Sequence, residues 1–142
     1  MFCRKTEMTL LNRAHKRALR AVHQDFTLDL PQLLNLSGCS SIHTRHLQAL
    51  MREVYQSINH ESPQLMWDLF CVKNMPYNLR GQLLVKLPSA RTSTYGTNSL
   101  LFKSSILWNT LPNEFKALKS TLAFKEKIKE WQGNSCTCKN CK

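Results

Sequence analysis

Apolar side chains recur every three or four residues through most of this chain, the spacing that places them on one face of an α-helix. The spacing predicts a first helix from Met8 to about His23. The apolar stripe expected to face the core in this helix is Leu11, Ala14, Ala18 and Val22. Because the helical period dominates, the chain is predicted to be mainly α-helical.

Further helices are predicted where residues that favour helix ends flank apolar spacing. Their expected starts are Leu30-Pro31, Ser40 or Ser41, Ser62-Pro63, Asn98 or Ser99, and Thr121, and Ser37-Gly38 is the expected end of the second helix. The core residues expected in the longer ones are Leu47, Leu50, Met51, Val54 and Ile58, then Leu101, Ser105 and Trp108, then Phe124, Ile128 and Trp131. The short helix after Pro63 is expected to bury Leu65, Met66, Leu69 and Phe70.

One segment departs from the helical period. Residues 83–87 and 91–95 have the composition of short strands, and Pro88-Ser89 separates them. The predicted fold is therefore a small, mainly α-helical domain with one short β-hairpin. A length of 142 residues allows one compact domain, predicted over residues 1–132, followed by a flexible cysteine-rich tail over residues 133–142.

The chain is strongly basic. Twenty Lys and Arg residues oppose nine Asp and Glu, which gives a formal net charge of +11. Such a charge favours anionic partners, with RNA or DNA ranked first. No apolar run approaches the roughly 20 residues of a membrane span, and no apolar stretch follows Met1 as in a signal peptide. We therefore expect an intracellular protein, nuclear or cytoplasmic, that is neither secreted nor bound to a membrane.

The first predicted helix carries a row of cations, here called the basic ridge: Arg13, Lys16, Arg17 and Arg20. Their spacing stacks them along one side of the helix, where phosphate groups could bind. Arg45 and Arg52, two turns apart on a later helix, are predicted neighbours in nucleic-acid binding. A solvated positive face without a ligand is the alternative interpretation.

The sequence offers no convincing catalytic centre. Two-metal phosphoryl transfer needs clustered carboxylates, and neither Asp25 with Asp29 nor the isolated Asp68 forms a pair after a strand. Cys39, His43 and His46 could suggest a nucleophile with a base, or metal ligands, but their spacing matches no tight pattern. We therefore predict that this chain is not an enzyme.

The last residues contain a more specific motif than Cys39, His43 and His46 do. Cys136, Cys138 and Cys141 have the spacing of thiolates that converge on one soft metal ion such as zinc. A structural zinc site takes four ligands, so a fourth would come from a distant histidine, another chain or further sequence. No cofactor is expected to be required, and zinc at these cysteines is one possibility beside an incomplete, flexible tail.

Seven short stretches, spread over nearly the whole chain, resemble stretches that follow one another in the same order in a known family of proteins. They lie at residues 10–20, 41–48, 77–80, 94–96, 106–112, 124–131 and 136–142. They resemble, in turn, the stretches hERALR, sIHxRNLQ, YNLRs, xxYGxxS, kiWNxLP, FKxkIKxW and CxCxxCk of non-LTR (LINE-like, jockey-related) retrotransposon proteins. The resemblance is to the C-terminal region of the reverse transcriptase.

The resemblance implies an origin in an RNA-directed DNA polymerase that copies nucleic acid by target-primed reverse transcription. The first helix would lie in or just beyond the thumb, and the upstream palm, a further expected partner, would carry the catalytic aspartates. We expect this chain to be a non-catalytic fragment that binds nucleic acid through the basic ridge. The alternative is an interaction or scaffold module whose basic face docks an acidic protein.

Overall fold

The structure, a computed structural model, describes residues 5–73 and 83–133. These residues are mainly helical, which confirms the predicted helical class. They divide into two compact units, one ending at Leu47 and the other beginning at Gln48. The single domain predicted over residues 1–132 stays a prediction. Within the described residues, no helix combines the length and apolar character needed to cross a bilayer.

The first unit is built on α1 (Lys5–His23), which packs against α2 (Leu30–Leu36). α1 buries Met8 and Leu19. These residues lie eleven positions apart, about three helical turns, so they occupy one side of the helix. The predicted stripe is wrong for α1, because Leu11, Ala14, Ala18 and Val22 are all exposed. α1 has two apolar rows, and α2 covers one side of the helix only.

The end of α2 and the start of α3 (Ile42–Ile58) follow local rules that the sequence had indicated. Gly38 has a φ of 61°, and its N–H donates to Asn35 O while that of Cys39 donates to Leu34 O. This pair of bonds is a Schellman motif, in which a glycine in the left-handed region closes a helix. Ser41 then caps α3, because its Oγ accepts the Thr44 N–H at 3.1 Å.

The described residues of the second unit contain the rest of α3 and four later α-helices: α4 (Gln64–Trp67), α5 (Leu100–Thr110), α6 (Asn113–Lys116) and α7 (Thr121–Glu130). Three aromatic side chains form its core. Tyr55 stacks on Phe124 with ring centroids 4.1 Å apart, and Trp108 lies 6.2 Å from Phe124. All three are buried, as the apolar spacing had predicted for Trp108 and Phe124. On α4 and the residues after it, Phe70 is buried but Leu65 and Leu69 are exposed, contrary to prediction.

The predicted β-hairpin is wrong. Residue 85 pairs with Val72 in an isolated antiparallel bridge rather than with the residues that follow it. The bonds beside this bridge run from Lys73 N–H to Leu84 O and from Lys86 N–H to Cys71 O, both at 2.8 Å. The second predicted strand is instead a single π-helical turn, Ser93–Thr97. Strand-like composition therefore identified an extended segment but not its partner.

Candidate nucleic-acid interface

The basic ridge lies on α1, and the structure divides it into two pairs. Arg13 and Arg17 are exposed, and they have no ion-pair or hydrogen-bond partner within the described residues. They are four positions apart, so their guanidinium groups project from successive turns of one side of the helix. These two arginines are the part of the ridge that is free to meet a phosphate chain.

Lys16 is held by a carboxylate of the same unit. Its Nζ lies 2.7 Å from Asp29 Oδ1, and the Asp29 side chain remains largely exposed. The hydrogen bond and the charge of Lys16 lower the pKa of Asp29, so the carboxylate is ionised at neutral pH. The ion pair lies at the surface, where such pairs contribute little to stability because water solvates both partners.

Arg20 is held by the connector between α1 and α2, residues 24–29. Its Nε and Nη2 both donate to the carbonyl oxygen of Leu28, at 3.3 and 3.0 Å. The connector is itself tightened by Asp25, whose Oδ1 accepts the N–H and the hydroxyl of Thr27. These hydrogen bonds lower the pKa of Asp25. Asp25 and Asp29 therefore both have structural partners, and Arg20 helps to fix the connector.

The partner of Lys16 is the feature that the sequence analysis missed. Asp29 immediately precedes the Leu30-Pro31 start of α2, and its N–H donates to Gln32 Oε1 at 2.9 Å. An Asp three residues before a Gln at a helix start is a signal for an ordered helix N-terminus. That signal places the carboxylate on a fixed element, although it does not reveal which cation lies opposite.

The other predicted phosphate contacts lie on α3. Arg45 is exposed, and Arg52 is half-buried. Arg45 belongs to the first unit and Arg52 to the second. Each remains a candidate contact by itself.

The histidines beside Arg45 add little positive charge at neutral pH. Burial lowers the pKa of both His43 and His46. Cys39 is half-buried and forms no disulfide. Within the described ranges, no group of three or more His, Cys, Asp or Glu side chains could hold a metal ion. The predicted zinc ligands Cys136, Cys138 and Cys141 lie outside the described residues.

One cation of the second unit is withdrawn from the surface. Lys116 is buried, and its Nζ donates to the carbonyl oxygen of Asn109 at 3.2 Å, in the last turn of α5. A cation is favourable at a helix C-terminus because carbonyl groups without intrahelical partners point towards it. Burial lowers the pKa of Lys116, and the side chain has a structural role at the end of α5.

Several residues of the stretches that carry the family resemblance have structural roles here. Gln48 Nε2 donates to the carbonyl oxygens of Lys129 and Trp131, at 3.0 and 2.9 Å, and so joins two of those stretches. Gly96 faces Ala90 so closely that an added Cβ would lie 2.8 Å from the Ala90 Cβ. These contacts explain the residue types physically without reference to a ligand.

Comparison with known proteins finds no relative of this chain. No family model, curated protein or solved structure matches the chain. The likeness to retrotransposon reverse transcriptases stays a prediction based on the seven sequence stretches. The features of the chain that bear on function are the charges and contacts of the first unit.

Proposed function

We propose that this chain is a non-catalytic nucleic-acid-binding piece related to the C-terminal region of LINE-like reverse transcriptases. The binding element is α1, through Arg13 and Arg17. The observation that carries the proposal is the exposure of these two guanidinium groups, one turn apart, on a chain with a formal net charge of +11. The partner is RNA or DNA, bound through its sugar-phosphate backbone.

The chemistry of the two arginines suits this role. A guanidinium group is planar, keeps its charge at any physiological pH and can donate two parallel hydrogen bonds to phosphate oxygens. Two such groups on successive turns would neutralise neighbouring phosphates and release their counterions. Contacts of this kind carry no base information, so the binding is weakly selective for sequence.

Lys16 and Arg20 take a secondary part in the proposal. The Lys16 pair with Asp29 is surface-exposed and weak, so a polyanion can compete with the carboxylate for the ammonium group. Arg20 donates to a neutral carbonyl and keeps its full positive charge beside the other cations. Both side chains therefore still contribute to the local positive potential. Arg45 is a further candidate contact.

Reversing the two free charges should abolish most of the binding. For Arg13→Glu with Arg17→Glu, we expect affinity for a short RNA or DNA duplex to fall at least roughly tenfold. The slope of log affinity against log salt should decrease by about 2 on duplex DNA, because about 0.9 of a counterion is released per phosphate contact. Fluorescence anisotropy over a salt series measures both quantities.

The matched control lies on α7. Lys125→Glu with Lys129→Glu changes the net charge equally, at two exposed lysines that are also four residues apart. We expect this pair to change affinity much less, because long-range charge alone is screened by salt. Equal losses for the two pairs, or a binding constant that does not depend on salt, would count against a specific role for α1.

Parentage has a separate test that does not depend on binding. The DNA upstream of the Met1 codon is expected to contain, in the same frame, an aromatic-x-Asp-Asp motif on a predicted hairpin. That motif would supply the clustered carboxylates that polymerases need for metal-assisted phosphoryl transfer. Regulatory sequence at that place, without such a frame, would contradict the proposed origin and leave the binding proposal intact.

A further inference from the structure

α1 carries a wide apolar surface that the described structure leaves uncovered. It is here called the outer row and comprises Leu10, Leu11, Ala14, Ala18, Ala21 and Val22. Leu10 is 62% exposed, Leu11 41% and Val22 74%. At 100° per residue these positions span about 120° of the helix surface, the width of a stripe that normally packs against another element.

The outer row has the shape of a helix-packing seam. Leu11 and Val22 lie near its two ends, about 16 Å apart along the axis at 1.5 Å per residue. Between them lie Ala14, Ala18 and Ala21, whose small side chains let the backbone of a second helix approach closely. An apolar helix laid along this seam would cover the three turns between Leu11 and Val22.

Charge selects the kind of partner. Arg13 and Arg17 border the outer row, since Arg13 follows Leu10 by three residues and Arg17 precedes Ala21 by four. Neither has an acidic partner within the described residues, whereas Lys16 already has Asp29. A surface with apolar residues in the middle and free cations along one edge is complementary to an amphipathic helix with carboxylates along the matching edge.

We propose that the outer row of α1, with Arg13 and Arg17 at its edge, docks an acidic amphipathic helix of another protein. A second copy of this chain fits less well, because each copy carries a formal net charge of +11. A nucleic acid would satisfy the two arginines but would leave Leu11 and Val22 facing water. The inference uses the apolar row and does not depend on the nucleic-acid proposal, although the two arginines are common to both.

The test uses the full chain and three synthetic helical peptides. The first has leucine and alanine on one face and glutamates along the border, the second has the same composition in scrambled order, and the third has lysines in place of the glutamates. We expect the first peptide to bind with measurable heat in calorimetry and the other two to bind at least roughly tenfold more weakly.

A double variant isolates the apolar contribution. Leu11→Ser with Val22→Ser should weaken binding of the acidic peptide roughly tenfold, because two exposed anchors of the seam are lost. The control is Leu122→Ser on α7, a residue that is 72% exposed and lies in the other unit. Far-UV circular dichroism should show that both proteins keep their helix content.

Binding to an RNA duplex separates this inference from the proposed function. The Leu11→Ser, Val22→Ser protein should keep its RNA affinity, whereas the Arg13→Glu, Arg17→Glu protein should lose affinity for both RNA and peptide. Equal binding of the acidic and scrambled peptides, or unchanged peptide affinity in the serine variant, would overturn the docking inference. So would self-association, or stronger binding to anionic vesicles, that the serine variant abolishes.

Discussion

Replacement of Phe124 by alanine is expected to lower the free energy of unfolding of the second unit by about 3–5 kcal/mol. Phe124 is fully buried on α7 and stacks on Tyr55 with an interplanar angle of 16°. Removing its ring takes away apolar burial, and the rigid rings of Tyr55 and Trp108 cannot collapse fully into the space. A residual cavity adds to the transfer cost in such cases.

The measurement has a convenient reporter. All three tryptophans of the chain, Trp67, Trp108 and Trp131, belong to the second unit, so their fluorescence follows that unit during urea unfolding. Leu122→Ala is the matched control, because Leu122 lies on the same helix but is exposed to solvent. We expect that control to change the free energy by no more than about 0.5 kcal/mol. Similar losses for the two variants would refute the aromatic core.

Asn109→Ala is expected to lower the free energy of unfolding by about 2–6 kcal/mol, although it removes only a small polar side chain. Asn109 Oδ1 accepts the Val85 N–H at 2.9 Å, and its Nδ2 donates to the Val85 carbonyl oxygen at 3.0 Å. Val85 is fully buried, so alanine at position 109 leaves a backbone donor and an acceptor without partners and away from water. Each such group costs about 1–3 kcal/mol.

The control for Asn109 is Asn98→Ala, just before α5. The Asn98 side chain is exposed and makes no hydrogen bond within the described residues, so a change within about 0.5 kcal/mol is expected. Urea unfolding followed by tryptophan fluorescence compares the two. Because Trp108 Nε1 also donates to Leu83 O at 3.0 Å, the Trp108-Asn109 pair holds residues 83–85 in place. Equal stability of the two variants would contradict this role.

The core of the second unit was largely predictable from the sequence. The spacing of Phe124 and Ile128 on α7 and of Met51 and Val54 on α3 identified buried faces, because each helix has one apolar side with polar residues opposite. Local helix-end signals were also reliable. Ser41, Ser99 and Gly38 act at the positions where their side chains or backbone freedom predict helix ends.

The first unit shows why the candidate site was only partly predictable. The period of α1 gives two apolar rows and one cationic row, and periodicity alone cannot say which row a neighbouring element covers. Packing buries the side with Met8 and Leu19, which leaves the row from Leu11 to Val22 exposed. The same packing brings the connector near α1. Asp29 therefore pairs with Lys16, and the Leu28 carbonyl oxygen accepts a hydrogen bond from Arg20.

The sequence by itself determined what depends on neighbours along the chain: the helical class, most helix starts and stops, the excess of positive charge and the alignment of four cations on one helix. Tertiary structure alone decided what depends on residues distant in sequence. Val72 rather than the 91–95 segment pairs with Val85, and only Arg13 and Arg17 of the ridge remain free. The physical reason is that helix periodicity orients side chains around an axis, whereas their partners are chosen by how separate elements pack.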